Sequence, residues 1–217
     1  MKKHTPTFIF DFDGTIADTH HYIVEISNRL AKEFHYAKIR PEEVAQLKDK
    51  TVKEVINHLD VPFMKIPAIV ARAKKEFHKD IANLEPFQGL REILLRLKEA
   101  GVQIGILSSN ASENIQKFLE HHNLDIFDFI HSASTIWGKH IGLDKVLKQN
   151  GIEKGTVIYI GDELRDIDAA RKLGVKVASV TWGYNSAQSL EMQNPDFLCE
   201  RPEDLLSLIP HFNAPSV

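Results

Sequence analysis

The chain has 217 residues, 43% of them hydrophobic and 26% charged, with a formal net charge of −3. This is the composition of one large or two small globular domains, with a core large enough to need no staples. It excludes the basic excess of a dedicated nucleic-acid binder, and no stretch has the roughly 18 apolar residues that crossing a bilayer requires.

The first apolar run, Thr7–Phe10, follows a basic start but is shorter than the ~7–15 residues of a signal-peptide core, so it reads as a buried strand. Asp11-Phe12-Asp13-Gly14-Thr15 comes directly after it. From 19 to 83 the pattern is helical with no convincing strand. Ile23, Ile26, Leu30 and Phe34 share one face, Val52, Val55, Ile56 and Leu59 another, and Pro41, Pro62 and Pro67 punctuate the region. Asp18 is placed to cap the first of these helices. A stripe of Leu90, Ile93, Leu94 and Leu97 leads to the run 102–107, which ends at Ser108. Ser109 and Asn110 open the next helix, striped by Ile115, Phe118 and Leu119, before the run 128–131. Lys139 lies one short loop further on. The run 156–160 leads into Gly161-Asp162-Glu163-Leu164-Arg165-Asp166, then a stripe of Ile167, Ala170 and Leu173. Runs at 175–180 and 196–199 complete the strands, and 211–217 reads as a frayed tail. Gly101, Gly151 and Gly174 stand where helices end.

Strand and helix alternating in this way predict an α/β fold, a parallel sheet with helices on both faces, interrupted once by an all-helical insertion. The expected division is a core of 1–18 and 84–217 and an insertion of 19–83. The lone cysteine, Cys199, rules out an internal disulfide and sits beside Phe197 and Leu198, which marks a packed thiol and suits a reducing, cytoplasmic setting.

The strand ends of a parallel sheet share one edge, where ligands bind. Asp11, Asp13, Asp162 and Asp166, up to 155 positions apart (166 minus 11), would gather there with Ser108 and Lys139. So many like charges need a counter-charge. A divalent cation together with Lys139 supplies it, and an all-oxygen ligand set suits a hard ion such as magnesium. A bound phosphate would then meet the metal, the Lys139 ammonium, the Ser108 hydroxyl and backbone N–H groups, with Gly14 allowing close approach.

Asp11-Phe12-Asp13-Gly14-Thr15 resembles the first motif of the haloacid dehalogenase-like superfamily of phosphatases. Ser108 resembles its second motif, Lys139 its third, and Gly161-Asp162 with Asp166 its fourth. All four stand in order over nearly the whole chain. The resemblance implies a Rossmann-like core and makes the insertion a cap domain, as in the phosphoglycolate phosphatase-like branch, which also carries a string like Thr181-Trp182-Gly183-Tyr184-Asn185. It implies that Asp11 is the nucleophile that forms an aspartyl-phosphate, and that Asp13 is general acid and then general base. It implies magnesium held by the Asp11 carboxylate, the Asp13 backbone carbonyl and Asp162, with Asp166 holding a metal-bound water or Lys139. Ser108 would bond the transferred phosphoryl group, with Gly14, Ser109 and Asn110 as further phosphate contacts. The expected partner is a small phosphorylated metabolite, with phosphoglycolate the leading candidate, and neither nucleic acid nor membrane. The expected assembly is a monomer or homodimer.

Some alternatives stay open. Lys145, 17 positions before Asp162 against 23 for Lys139, is a rival for the third motif but falls beside Val146 and Leu147 inside a helix. Glu163 and His140 adjoin the motifs without an assigned role. His20-His21 and His121-His122 are adjacent pairs that point about 100° apart on a helix and chelate poorly. Arg72 and Lys48 read as solvated cations of the insertion. A phosphomutase on the same scaffold is the alternative activity. A dehalogenase would not need Asp13, and a non-enzymatic module would not need the filled catalytic positions.

Overall fold

The computed structural model describes residues 5–132 and 138–213. Strand β1 (Thr7–Phe10) leads into helices α1 (His20–Phe34), α2 (Val44–Leu47), α3 (Val52–His58) and α4 (Ile66–Asp80). Then come α5 (Leu90–Glu99), β2 (Gln103–Ser108), α6 (Ser112–His121), β3 (Phe129–Ser132), α7 (Lys139–Gln149), β4 (Val157–Gly161) and α8 (Leu164–Leu173). The chain closes with β5 (Lys176–Val180), α9 (Ala187–Met192), β6 (Phe197–Cys199) and α10 (Pro210–Asn213). Every expected strand is present, each bounded within a residue of its apolar run. The expected tail begins inside α10, and 214–217 lie outside the described residues.

The strands form one parallel sheet in the order β3-β2-β1-β4-β5-β6. β1 is buried along its whole length because both of its faces are covered. Alternate side chains divide between two cores, as the period of a strand dictates. Phe8 and Phe10 pack with Leu94 and Phe118 on one face, and Ile9 with Leu143, Val146 and Ile167 on the other. Cys199 lies in the first core, and burial pushes its thiol up to about 12.

Among the described residues of the insertion there is no strand. α1 packs on α4, with the Tyr22 and Phe77 rings 5.3 Å apart. Pro67 sits in the first turn of α4, and Pro41 opens a short 3₁₀ turn. The cap of α1 is Thr19, not Asp18, and no side chain caps that helix. Thr19 spends its hydroxyl on the Tyr184 hydroxyl, 2.6 Å away, and Asp18 stays exposed. Of the apolar face expected at 52–59, Leu59, just past α3, is buried. Val52, Val55 and Ile56 face a cavity of about 320 Å³ whose other walls include Ile23, Asp13 and Tyr184.

Candidate active site

The sheet register builds the site. Phe10 pairs with Ile106 on one side and Ile160 on the other. The next residue, Asp11, therefore emerges where β1 ends, its N–H donating to Ile160 O at 2.8 Å. Ser108 and Asp162 end or follow the flanking strands. Phe12 turns into the core against Phe118, with ring centroids 5.2 Å apart. Asp11 and Asp13 on either side are left at the sheet edge.

Asp11, Asp162 and Asp166 each offer an oxygen within 4.8 Å of the others, and all three are buried. Lys139, the first residue of α7, lies between two of them. Its Nζ is 2.5 Å from Asp11 Oδ2 and also donates to Asp166 Oδ1. Asp166 Oδ2 accepts from Glu163 N at 3.0 Å, which caps α8. Asp162 accepts from the Thr15 hydroxyl at 2.7 Å and from Tyr184 N at 2.8 Å. Asp11 Oδ1 accepts from Phe12 N at 2.8 Å. Every carboxylate is thus oriented by donors and keeps lone pairs free.

Burial and mutual repulsion set the electrostatics of the cluster. Burial pushes Asp11 up to about 6 against the pull of Lys139. Burial, and then the charge of Asp11, pushes Asp13 up to about 7. Asp162 is held well above the usual carboxylate range by burial, then by the charges of Glu163, Asp11 and Asp166. For Lys139 burial acts to lower the ammonium, but Asp11 and Asp166 outweigh it and hold it above its ordinary value. Lys139 and Arg165 together do not bring Asp11 back to its ordinary value. An all-oxygen set of this kind fits a hard divalent ion.

Across the site, the Ser108 hydroxyl accepts from Asn110 N at 3.0 Å, so its own hydrogen is free to donate. The Asn110 side chain directs Nδ2 at both Asp13 oxygens, at 3.1 and 3.2 Å. α6 starts only at Ser112, so Ser109 and Asn110 precede the helix rather than open it. Ser109 lines the 320 Å³ cavity beside Asp13.

The family model described as haloacid dehalogenase-like hydrolase matches residues 8–180. The chain belongs to the haloacid dehalogenase-like hydrolase family. A phosphoglycolate phosphatase of Synechococcus elongatus is 33% identical over 202 residues, which cover 93% of this chain and 95% of the relative. A pyrophosphatase PpaX of Bacillus cereus is 23% identical over 214 residues, 95% of this chain and 97% of the relative. Among solved structures, a haloacid dehalogenase-like hydrolase from Streptococcus pneumoniae matches with a TM-score of 0.80 at 19% identity, covering 94% of this chain and 98% of that one. The likeness to that solved structure supports a Rossmann-like core with a helical cap, and within the family this chain is a phosphatase.

Of the residues that carry the family resemblance, Asp11, Lys139, Asp162 and Asp166 come together at one point, with Asp13, Ser108 and Asn110 beside them. Lys145 is exposed, away from the cluster. Gly14 is accounted for differently from expectation. Its N–H donates to Ala17 O at 2.9 Å, and the space a side chain would need is filled by Asp162 and Tyr184. Lys48 is not simply solvated. It lines the cavity and donates to Gly183 O at 2.9 Å, whereas Arg72 pairs with Glu76 on α4. Glu163 pairs with Arg165, which lines the cavity. His140 lines a second cavity, of about 210 Å³, with Lys53 and Asp168. Among the described residues the acidic trio is the candidate metal group, and it includes no histidine. His20 packs on Tyr184, and His122 donates to Leu84 O at 2.7 Å. Three polar residues escaped the sequence reading: Arg165, Asn185 and Asn114. Asn185 meets the backbone at 48 and 50, Asn114 meets His78 on α4, and Arg165 pairs with Glu163 two positions before it; local sequence carries no signal for the first two meetings.

Proposed function

We propose that the chain hydrolyses small phosphate monoesters through an aspartyl-phosphate on Asp11, with magnesium held by Asp11, the Asp13 carbonyl and Asp162. The observation that carries this reading is the convergence of Asp11, Asp162, Asp166 and Lys139 at the end of β1, beside Asp13. Magnesium, when bound, supplies positive charge to the phosphoryl oxygens and keeps Asp11 ionised. An Asp11 oxygen attacks phosphorus as the bond from phosphorus to the leaving oxygen breaks, and Asp13 gives that oxygen its proton. Water then attacks phosphorus, Asp13 takes a proton from it, and the bond to Asp11 breaks to release phosphate. Lys139 and the Ser108 hydrogen stabilise the charge spread over the phosphoryl oxygens. Asp166 positions Lys139.

The substrate we propose is phosphoglycolate. The support is the cyanobacterial relative together with Lys48 and Lys50, cations in the wall of the cavity beyond Asp13, where a substrate carboxylate would lie. Residues 19–83 act as the cap that closes over it and excludes water. The test is phosphate release from a panel that includes phosphoglycolate, sugar phosphates and pyrophosphate, with and without magnesium. Magnesium-dependent release that Asp11→Asn abolishes is the expected result. Interconversion of sugar phosphate isomers without release would overturn it in favour of a mutase.

A further inference from the structure

Asn114, on α6, is 1% exposed and does not line the 320 Å³ cavity. It nevertheless sits in a chain of hydrogen bonds whose direction can be worked out from one backbone group. Ala111 N can only donate, and Asn110 Oδ1 lies 2.8 Å from it. The Asn110 oxygen therefore faces α6, and its Nδ2 faces Asp13. The same oxygen accepts from Asn114 Nδ2 at 2.9 Å. That turns Asn114 Oδ1 outward, toward His78 Nδ1 on α4, 2.6 Å away. An amide oxygen only accepts, so His78 carries a proton on Nδ1. Every link then donates in one direction, from His78 to Asn114 to Asn110 to Asp13.

The last link has a chemical consequence. Asn110 Nδ2 has only hydrogens to offer, so a protonated Asp13 must turn its own O–H away from Asn110. Asp13 lines the 320 Å³ cavity, where the leaving oxygen would lie, so its O–H can turn that way. Asn110 alone could rotate about its side-chain bonds. The second donor at its oxygen, supplied by Asn114, holds it.

We propose that Asn114 is the positioning residue of the general acid, locking Asn110 so that Asp13 presents its proton to the leaving oxygen, and that His78 ties this lock to the cap helix α4. The proposal rests on the phosphatase reading above and names a residue that reading does not use. A positioned acid matters only when the leaving group needs a proton. A dinitrophenolate leaves without one, and an alkoxide does not.

The experiment compares kcat/KM of the magnesium-loaded protein for 2,4-dinitrophenyl phosphate and for the best alkyl phosphate of the panel. General acids contribute about 10²–10⁴-fold, so partial loss of position in Asn114→Leu should lower the alkyl ester about tenfold and leave the dinitrophenyl ester within about twofold. His78→Leu, at an exposed position that cannot collapse the core, should shift the two esters in the same sense, and His78→Gln, which keeps an N–H donor, should restore the ratio. Nitrogen-15 shifts of His78 should show the Nδ1–H tautomer. Equal falls on both esters, or the Nε2–H tautomer, would overturn the proposal. Failure of the phosphatase reading is visible separately, as no release from either ester by the wild type, and would remove the proposal with it.

Discussion

A Cβ placed on Gly14 would lie 2.2 Å from Asp162 Oδ2 and 2.5 Å from Tyr184 Cδ2, and its φ of +77° is one that side chains rarely adopt. Both penalties fall on Gly14→Ala. The left-handed backbone costs about 1–2 kcal/mol by itself, and the displaced Asp162 adds to it, so denaturant unfolding should show a loss of at least about 2 kcal/mol. Half-saturation by magnesium should also need more metal, since Asp162 is the side chain pushed aside. A variant of wild-type stability would show that the loop can yield. At this scale the sequence was legible where chemistry is dense. Two acids flanking Phe12 after an apolar run are hard to explain as surface charge. Gly14 was legible as necessary but not for its reason, because Tyr184 comes 170 positions later (184 minus 14). Asn114 and Asn185 were silent for the same cause: an amide becomes a positioning group only when a distant element presents it with a partner.

Among the helices, the short turn joining α2 to α3 shows how the cap is seated. Asn185 Nδ2 donates to Lys48 O at 2.7 Å and Lys50 O at 3.2 Å, while its Oδ1 accepts from Leu164 N at 2.9 Å and its backbone N–H donates to Asp162 O at 3.2 Å. One side chain thus joins the turn to the first residue of α8. Ser186 N adds a bond to Lys48 O at 3.1 Å. Asn185→Ala should release the turn. Amide hydrogen exchange around 48–51 should quicken, by about 1 kcal/mol of local opening for each bond lost, and KM should rise with a smaller change in kcat. Unchanged exchange would show that Lys48 and Ser186 suffice. Helices and strands were legible from their apolar spacing because α5, α6 and α8 each bury one stripe against the sheet. The start of α6 and the cap of α1 were not, since Asn110 and Thr19 turn to Asp13 and Tyr184 instead of capping a helix.

For the molecule as a whole, β1 is the place where the strand order reverses, flanked by β2 and β4, and the crevice at such a point is where α/β sheets bind ligands. Alternation of apolar runs with amphipathic stretches was enough to foresee the parallel sheet and its helical insertion. It says nothing of strand order, which depends on pairings between distant segments. Gathering acids at one crevice has a stability consequence. Asp11 and Asp13, at about 6 and about 7 against an ordinary 3.8, bind more protons in the folded than in the unfolded chain. Their contribution is therefore full below about pH 4 and is lost as pH rises through about 7. In chelator, this part of the thermal stability should fall between about pH 4 and about pH 7, and the proposed magnesium, which would bind the ionised cluster, should raise the melting temperature more at about pH 8. A magnesium shift no larger at the higher pH would count against a metal site built on these acids.

The central place of β1 also sets an order of events during synthesis. Thr7 pairs with Gln103 and with Val157, 96 and 150 positions later (103 minus 7, 157 minus 7). Pairings this remote close slowly, and a growing chain must hold the apolar β1 unpaired until they form. Asp11, the proposed nucleophile, precedes Lys139, Asp162 and Asp166 by 128, 151 and 155 positions (from 11). On the proposed mechanism, a chain that stops short of α8 carries Asp11 without Asp166 and would not hydrolyse a phosphate ester.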